Sequence, residues 1–563
     1  MSPQKTEASK ALLVRYRNDG DDFHILWSAR RALRLLDPAS GLVGVAIEGP
    51  SEAELKNGAG VDAGLLVIDT AEYYGPSLQK LERIVYFQLK YSTTASTTPW
   101  PVSGLEATLK GFSKRFKKLR AKKRTFDVRF AFVTNRPISP TVIQAFQGKA
   151  NDKPTRDTLA KLNKITGLTG AAFADFSACL DFHAEQEPRS QQESKLQAEA
   201  AQFIGQADSI SVMQMKSLIQ RQTTSDAAKR NTITLSQVAD ALGTLEEDLL
   251  PAPARFEKGV KLIPRAQEAA IARSIIGATQ PLVIHAGGGI GKSVLAQRLS
   301  ALMPPASEVV IFDGFASGGY RSARDRRHLH RRGLIHIANT LASRGLCNIL
   351  IPTRGVGDDA YLQAFRNRLA QASLAVRRRS AKALVLIVLD AADNSVMAAN
   401  ERGEKAFAPD LLQEPPPDGC RLVALARSHR LDLLRLEPGV IRLQLDSFSR
   451  DESAAHLAQK FSSADGAAID RFHKFTDANP RVQANALANS ASLAALLPSL
   501  GSSIRKVEKL INDQLDAALA KLKSDQHGDK QSIEALCRCL AVLPPLIPLA
   551  TLARAAGVRI EAE

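Results

Sequence analysis

Residues 282–293 read Leu-Val-Ile-His-Ala-Gly-Gly-Gly-Ile-Gly-Lys-Ser, an apolar run that passes through four glycines into a lysine and a serine. That order predicts a buried strand, a tight turn and the first turn of a helix, and few folds accept it. Glycines at 287, 288, 289 and 291 let backbone N–H groups crowd around a polyanion, and the helix that follows adds its positive end. Ala286, Gly287, Gly288, Gly289, Ile290, Gly291, Lys292 and Ser293 therefore form a candidate phosphate-binding loop, with Ala286 in place of the usual first glycine. Lys292 would reach the β- and γ-phosphates of ATP, and the Ser293 hydroxyl would sit on Mg²⁺.

A loop of this kind needs a carboxylate at a nearby strand end to hold the metal shell. Ala383–Leu389 is the longest unbroken apolar run in the chain, and it ends in Asp390, with Asp393 three residues on. A further apolar strand, Leu422–Arg427, ends in an arginine that would read the γ-phosphate. With Leu282–Ala286 and Val309–Phe312, these runs predict a parallel sheet covered on both faces.

These residues resemble the STAND class of signal-transducing NTPases, near its NACHT branch. The motif strand appears as Asp390-Ala-Ala-Asp393-Asn394, the sensor arginine as Arg427, and the arginine ahead of the loop as Arg265 in Ile-Pro-Arg-Ala-Gln. Leu445–Glu452 and Ala478-Asn479-Pro480 resemble the segments that open and follow the family's helical domain. The resemblance spans about residues 260–560 and implies an ATP-driven oligomerisation switch. Asn394 stands where the family carries Glu, which leaves Asp393 as the candidate water-activating base, and slow hydrolysis or binding without hydrolysis suits a switch better than an ATP-dependent motor.

The amino-terminal part alternates helical and strand patterns. A helix is expected over Phe23–Leu36, with Phe23, Leu26, Trp27, Ala29 and Leu33 on one stripe. Strands are expected at Leu42–Ile47, Leu65–Ile68, Arg83–Lys90 and Val128–Val133. In Arg83–Lys90 the alternation puts Tyr86, Gln88 and Lys90 on one face and Val85, Phe87 and Leu89 on the other. Glu48 and Asp69 each close a strand, so neighbouring strands would gather Glu48, Asp69, Gln88 and Lys90 at one sheet end. Two carboxylates and an amide oxygen are hard donors suited to Mg²⁺, and Lys90 would orient water or offset charge developing on phosphorus. Glu72 competes with Glu48 for the place of third ligand. A Gln-x-Lys pair also occurs on plain solvated strand faces, so the upstream acids carry the assignment.

This part, about residues 10–180, resembles the PD-(D/E)xK nuclease fold in its Gln-x-Lys variant, as found in the effector domains of CD-NTase-associated and antiviral STAND proteins. Nine Lys or Arg and no acid lie between Lys110 and Arg124. Such a run neutralises phosphates or simply faces solvent, and its place beside the candidate metal site suggests a DNA groove. The Arg321–Arg332 cluster, with His328 and His330, would serve nucleotide or subunit contacts, and zinc is not expected there.

A net charge of +17 favours polyanionic partners, and 44% apolar with 24% charged residues marks a globular chain. Five scattered cysteines fit a reducing compartment, and Cys537-x-Cys539 lacks a second pair for zinc. No run approaches the length of a membrane span or a secretory signal, so a cytoplasmic location is expected.

The expected architecture is α/β throughout: a restriction-endonuclease-like α/β domain over 1–185, a helical linker region over 186–255, a parallel α/β P-loop NTPase domain over 256–450, and helices over 451–563. Leu540–Glu563 resembles the start of a winged-helix segment, so truncation before a sensor is expected. The resemblances imply that a phage protein acts as inducer through that sensor, that ATP-bound protomers assemble as homo-oligomers, and that the nuclease then cuts duplex DNA. A scaffold whose first domain binds DNA or a partner without cutting is the alternative.

Overall fold

The computed structural model describes residues 3–52, 54, 67–121, 126–206, 208–227, 230–256, 263–322, 324–353, 355–500, 535, 536, 538, 539 and 549–557. Two compact units emerge, one formed by Met1–Leu249 with Ala342–Ala360 and the other by Leu250–Leu341 with Tyr361–Glu563.

In the first unit, helix α1 (Pro3–Leu33) precedes an antiparallel meander of β1 (Leu42–Ile47), β2 (Thr70–Tyr74) and β3 (Arg83–Lys90). Helix α2 (Val102–Ala121) then crosses over to β4 (Asp127–Thr134), which runs parallel to β3, and β5 (Leu180–His183) extends the parallel part. With β6 (Thr232–Ile233) the sheet order is β5-β4-β3-β2-β1-β6. Side-chain alternation splits β3 between two cores. Ile84 and Tyr86 pack with Phe112 and Phe116 of α2, whereas Phe87 and Leu89 pack with Phe23 and Trp27 of α1.

The sequence placed a strand at Leu65–Ile68, and the structure corrects it. Residues 65 and 66 lie outside the described residues, and the ladder begins at Asp69, whose N–H donates to the Phe87 carbonyl. The strand itself, Thr-Ala-Glu-Tyr-Tyr, is buried along its whole length. Glu72 disguised it, because a buried carboxylate is costly in a strand unless it is paired. Here Arg31 of α1 grips Glu72 bidentately at 2.5 and 2.7 Å, and the Tyr74 hydroxyl donates to it at 2.6 Å.

Residues expected as a linker fold against this unit. Helices α3 (Arg189–Ala200), α4 (Ser209–Gln222) and α5 (Leu235–Ala241) bury Leu196, Met215, Leu218 and Val238 with Leu26, Leu33 and Val45. Ile349 and Ile351, from the returning stretch 342–360, join the same cluster.

The second unit carries five parallel strands, β7 (Leu282–Ala286), β8 (Glu308–Asp313), β9 (Val385–Asp390), β10 (Cys420–Arg427) and β11 (Ile441–Gln444), in the order β11-β7-β10-β9-β8. All six residues of β9 are buried, as a strand covered on both faces requires. Helices α6 (Glu268–Gly277) and α7 (Lys292–Leu302) contribute Ile271, Ile275, Leu295 and Leu299 to the core against β7, β9 and β10. Helix α8 (Ala392–Arg402) follows β9 through Ala391, which takes φ 53°. Farther along the chain, α9 (Arg450–Ala458), α10 (Gly466–Phe475), α11 (Pro480–Ala488) and α12 (Leu493–Ser499) close around Leu457, Phe472, Leu487 and Leu496. Of the expected winged-helix start, only α13 (Leu549–Ala556) and Gly557 are described. No described helix is long and apolar enough to cross a membrane.

Candidate functional sites

In the second unit, Gly289 and Gly291 take φ of 77° and 94°, a region that suits glycine. Gly291 caps α7, so the backbone turns from β7 into the helix as the phosphate-loop reading requires. The Lys292 ammonium donates to the carbonyls of Ala286 and Gly287, at 3.1 and 2.8 Å. Burial lowers its pKa, and Asp393 followed by Asp390 opposes that shift, so both carboxylates lie within its field. The charge of Arg427 also lowers it. Arg427 is level with Ala286 across the β10–β7 ladder.

Asp390 ends β9 almost wholly buried. Burial pushes its carboxyl up to about 6 against a hydrogen bond from the Ser293 hydroxyl, while Asp313 pushes it further up. The Ser293 hydroxyl and the Asp390 carboxylate form a pair of oxygen donors suited to Mg²⁺ beside a triphosphate.

Arg265, the arginine ahead of the loop, bonds protein groups around it. Its guanidinium donates to the carbonyls of Ile290 at 3.0 Å and Asp446 at 2.5 Å, pairs with Glu452 at 3.3 Å, and lies 4.7 Å over the Phe448 ring. It clamps the loop backbone to the chain that opens the helices. Asn479 completes the grip from α11, donating its amide to the Gly288 carbonyl at 3.0 Å.

Two further residues were not anticipated. Asp313, level with Asp390, accepts from the backbone N–H groups of Phe315, Ala316 and Arg255. Its position at the end of the apolar run Val309–Phe312 was a legible signal. Arg430, past β10, reaches Asp393 and Asn394, and no spacing rule marks it.

In the first unit the antiparallel meander does the gathering. Asp69 stands at the start of β2, not at the end of a strand as expected, and that start meets the ends of β1 and β3. The Glu48 N–H donates to the Asp69 carbonyl at 2.7 Å. One Asp69 carboxylate oxygen, Oδ2, accepts from the Gln88 amide and from the Leu89 N–H, both at 2.6 Å. The remaining donors, Asp69 Oδ1, Gln88 Oε1 and the Glu48 carboxylate, are hard oxygens of the kind Mg²⁺ takes. Among the described residues, no group of three or more His, Cys, Asp and Glu is arranged to hold a metal ion. The candidate set of two carboxylates and an amide is smaller than such a group.

Burial raises Asp69 to about 6, against the Leu89 N–H, the Lys90 charge and the Gln88 amide, which all lower it. Burial and then the Asp69 charge raise Glu48 to about 7. Lys90 also depresses His24 of α1, after burial, to about 4, so that imidazole is neutral beside the cluster. Glu72 belongs elsewhere: it lies on the α1 side of the sheet in its pair with Arg31, and so is removed as a rival ligand.

The basic run needs a correction. Helix α2 begins where Trp100 donates to Thr134, at the strand ends that carry Gln88 and Lys90, and runs back toward Asp127. Lys114, Lys117, Lys118 and Arg120 therefore sit on the half of the helix leading away from the cluster, and Lys122, Lys123 and Arg124 lie outside the described residues. Arg115 turns inward instead, fully buried against Glu54 and the Tyr86 hydroxyl. The Arg321–Arg332 cluster is largely committed to local acids, with Arg321 on Glu401, Arg326 and His328 on Glu404, and His330 on Asp410.

A cation must displace protons from its ligands. With Glu48 near 7 and Asp69 near 6, Mg²⁺ affinity at this cluster should fall by about an order of magnitude or more between pH 8 and pH 6. Calorimetric titration of Mg²⁺ with the Ser293→Ala protein at both pH values isolates this site. Equal affinities would show that these carboxylates do not bind the ion.

No protein-family model and no curated protein sequence matches this chain. Among solved structures, a STAND protein with a tetratricopeptide repeat sensor from Pyrococcus horikoshii is similar at 17% identity and a TM-score of 0.28, over 54% of this chain and 40% of that one. A Walker-type ATPase of Pyrococcus abyssi is similar at 14% identity and a TM-score of 0.33, over 55% of this chain and 93% of that one. A Cap4 SAVED/CARF-domain receptor from Acinetobacter baumannii is similar at 11% identity and a TM-score of 0.25, over 68% of this chain and 67% of that one. The fold is α/β, and the second unit has the architecture of a P-loop NTPase: a parallel sheet with a phosphate loop after β7 and β10 inserted between that strand and the Asp390 strand.

Proposed function

We propose that this chain is a Mg²⁺-dependent DNA endonuclease gated by an ATP-binding STAND-type switch and serving antiphage defence. The observation that carries the reading is the Asp69 carboxylate fixed between the Gln88 amide and the Leu89 N–H, with the Lys90 charge on the same short strand. The first unit's order of helix, three strands, long helix and further strand supports the resemblance, which rests on the Trp27 helix, Asp69, the Gln88–Lys90 strand and the strand Phe130–Thr134.

Asp69, Gln88 and Glu48 would hold Mg²⁺, which when bound polarises the scissile phosphate and supplies hydroxide. Gln88 and Leu89 fix the Asp69 carboxylate through one oxygen, Oδ2, and the other oxygen would be left to hold the ion. Lys90 offsets negative charge as it grows on the phosphate oxygens. In the second unit, Lys292 and Arg427 would meet the β- and γ-phosphates of ATP, and Ser293 with Asp390 would hold the accompanying Mg²⁺. ATP and an inducing phage protein would bind the open state more tightly and shift the population toward an assembled homo-oligomer.

The test is cleavage of linear duplex DNA with Mg²⁺, comparing ATP, ADP and no nucleotide, with Asp69→Asn as control. Faster cutting with ATP that is lost in Asp69→Asn is the expected result. DNA binding without any cutting by the inducer-activated protein would favour the non-cleaving scaffold.

A further inference from the structure

Arg430 lies in the short 3-10 stretch Ser428–Leu434 that leaves β10 just after Arg427. One of its guanidinium nitrogens is 3.4 Å from a carboxylate oxygen of Asp393 and 3.2 Å from the side-chain oxygen of Asn394. The Asp393 side chain is 2% exposed, whereas that of Arg430 is 22% exposed. Asp393 is also the charge that acts most strongly on Lys292. The carboxylate is thus buried between two cations, one on the phosphate loop and one beyond the neighbouring strand.

Asn394 bears an amide, which cannot take a proton from water, so Asp393 is the only residue of that pair able to do so. Asp393 is the second residue of α8, two after Ala391 at φ 53°, so main-chain strain and helix geometry hold the Cα. The direction of the carboxylate depends on what it bonds. Arg430 is the only hydrogen-bond partner found for it among the described residues.

We propose that Arg430 is the positioning residue that aims Asp393 at the attacking water, an inference that rests on reading this unit as an ATP-hydrolysing switch. In the step so positioned, water oxygen bonds to the γ-phosphorus, its proton passes to Asp393, and the bond to the β,γ-bridging oxygen breaks to leave ADP and phosphate. Arg430 acts through Asp393, whose carboxylate it bonds. Because it follows Arg427 by three residues, movement of the β10 end on meeting a γ-phosphate would be passed to the base.

The experiment measures ATP hydrolysis by the full chain with Arg430→Ala, Arg430→Lys, Asp393→Asn and the double variant Arg430→Ala/Asp393→Asn. Arg430→Ala should lose about tenfold or more in kcat with KM for ATP within about twofold. Lysine should restore part of the loss, since its ammonium keeps the positive charge but on a flexible stem and without the planar guanidinium geometry. The double variant should be no slower than Asp393→Asn alone, because both changes remove one function. Wild-type kcat in Arg430→Ala beside an inactive Asp393→Asn would overturn the inference and leave the base assignment standing. Wild-type rates in Asp393→Asn, or no turnover in the unmodified protein, would overturn both.

Discussion

Replacing Lys90 with alanine should slow Mg²⁺-dependent cleavage of duplex DNA by about 10²–10³-fold, the usual effect of losing one preorganised charge at a reacting phosphate. The strand end carrying Lys90 is fixed independently of its side chain. Leu89 beside it donates to Asp69 and packs on α1 with Phe23 and Trp27. Lys90 itself is exposed, so fold and Tm should hold. Two accompanying changes separate a catalytic effect from a general one. Lys90 lowers Asp69, so its removal should raise that carboxyl further and move the acidic limb of Mg²⁺ binding to higher pH. ATP affinity should be unaffected. Cleavage by Lys90→Ala at the wild-type rate would end the nuclease assignment.

The same carboxylates bear on stability. Asp69 and Glu48 have folded-state pKa values above their ordinary values, so the native state binds more protons than the unfolded chain and loses stability as pH rises through about 6 to 7. Without added metal, Asp69→Asn should therefore raise Tm at pH 8 and change it little at pH 4.5, by thermal denaturation in EDTA. A lower Tm at pH 8 would mean that the Gln88 and Leu89 bonds outweigh the burial of charge.

What could be read from the sequence was whatever periodicity or spacing encodes locally. The β3 bounds, Arg83–Lys90, and the β7 bounds, Leu282–Ala286, follow from alternation and from an apolar run broken by glycine. β2 did not, because the charge of Glu72 is neutralised by Arg31 from 41 residues away. Asp69 was found for a wrong local reason, as a strand terminus, and lands at the cluster because an antiparallel turn reverses which end meets Glu48 and Gln88. Arg265 and Arg430 show the remaining limit. Both were arginines near a recognisable motif, and only three dimensions distinguish a guanidinium spent on the Ile290 carbonyl from one spent on Asp393. The basic helix teaches the same lesson: its lysines are close in sequence to Lys90, yet the crossover carries them away from it.

Lys292→Ala is the counterpart test in the second unit, and it should weaken ATP binding by about 1.5–3 kcal/mol, roughly 10- to 150-fold, as expected for a lost charge-assisted contact to phosphate. Among the described residues Lys292 hydrogen-bonds only loop carbonyls, those of Ala286 and Gly287, and neutral carbonyl acceptors lose less than a carboxylate would when the donor is cut away. The apo protein should therefore melt as before, while the rise in Tm that saturating ATP gives the wild type should shrink by the corresponding amount. DNA cleavage should lose its response to ATP and keep its response to Mg²⁺, because the Asp69 cluster belongs to the other unit. An ATP-induced Tm rise in Lys292→Ala equal to that of the wild type would remove the triphosphate from this loop. If that rise were lost while cleavage still responded to ATP, the nucleotide would be acting on the nuclease through some other site, and the gating proposal would fail even with the P-loop intact.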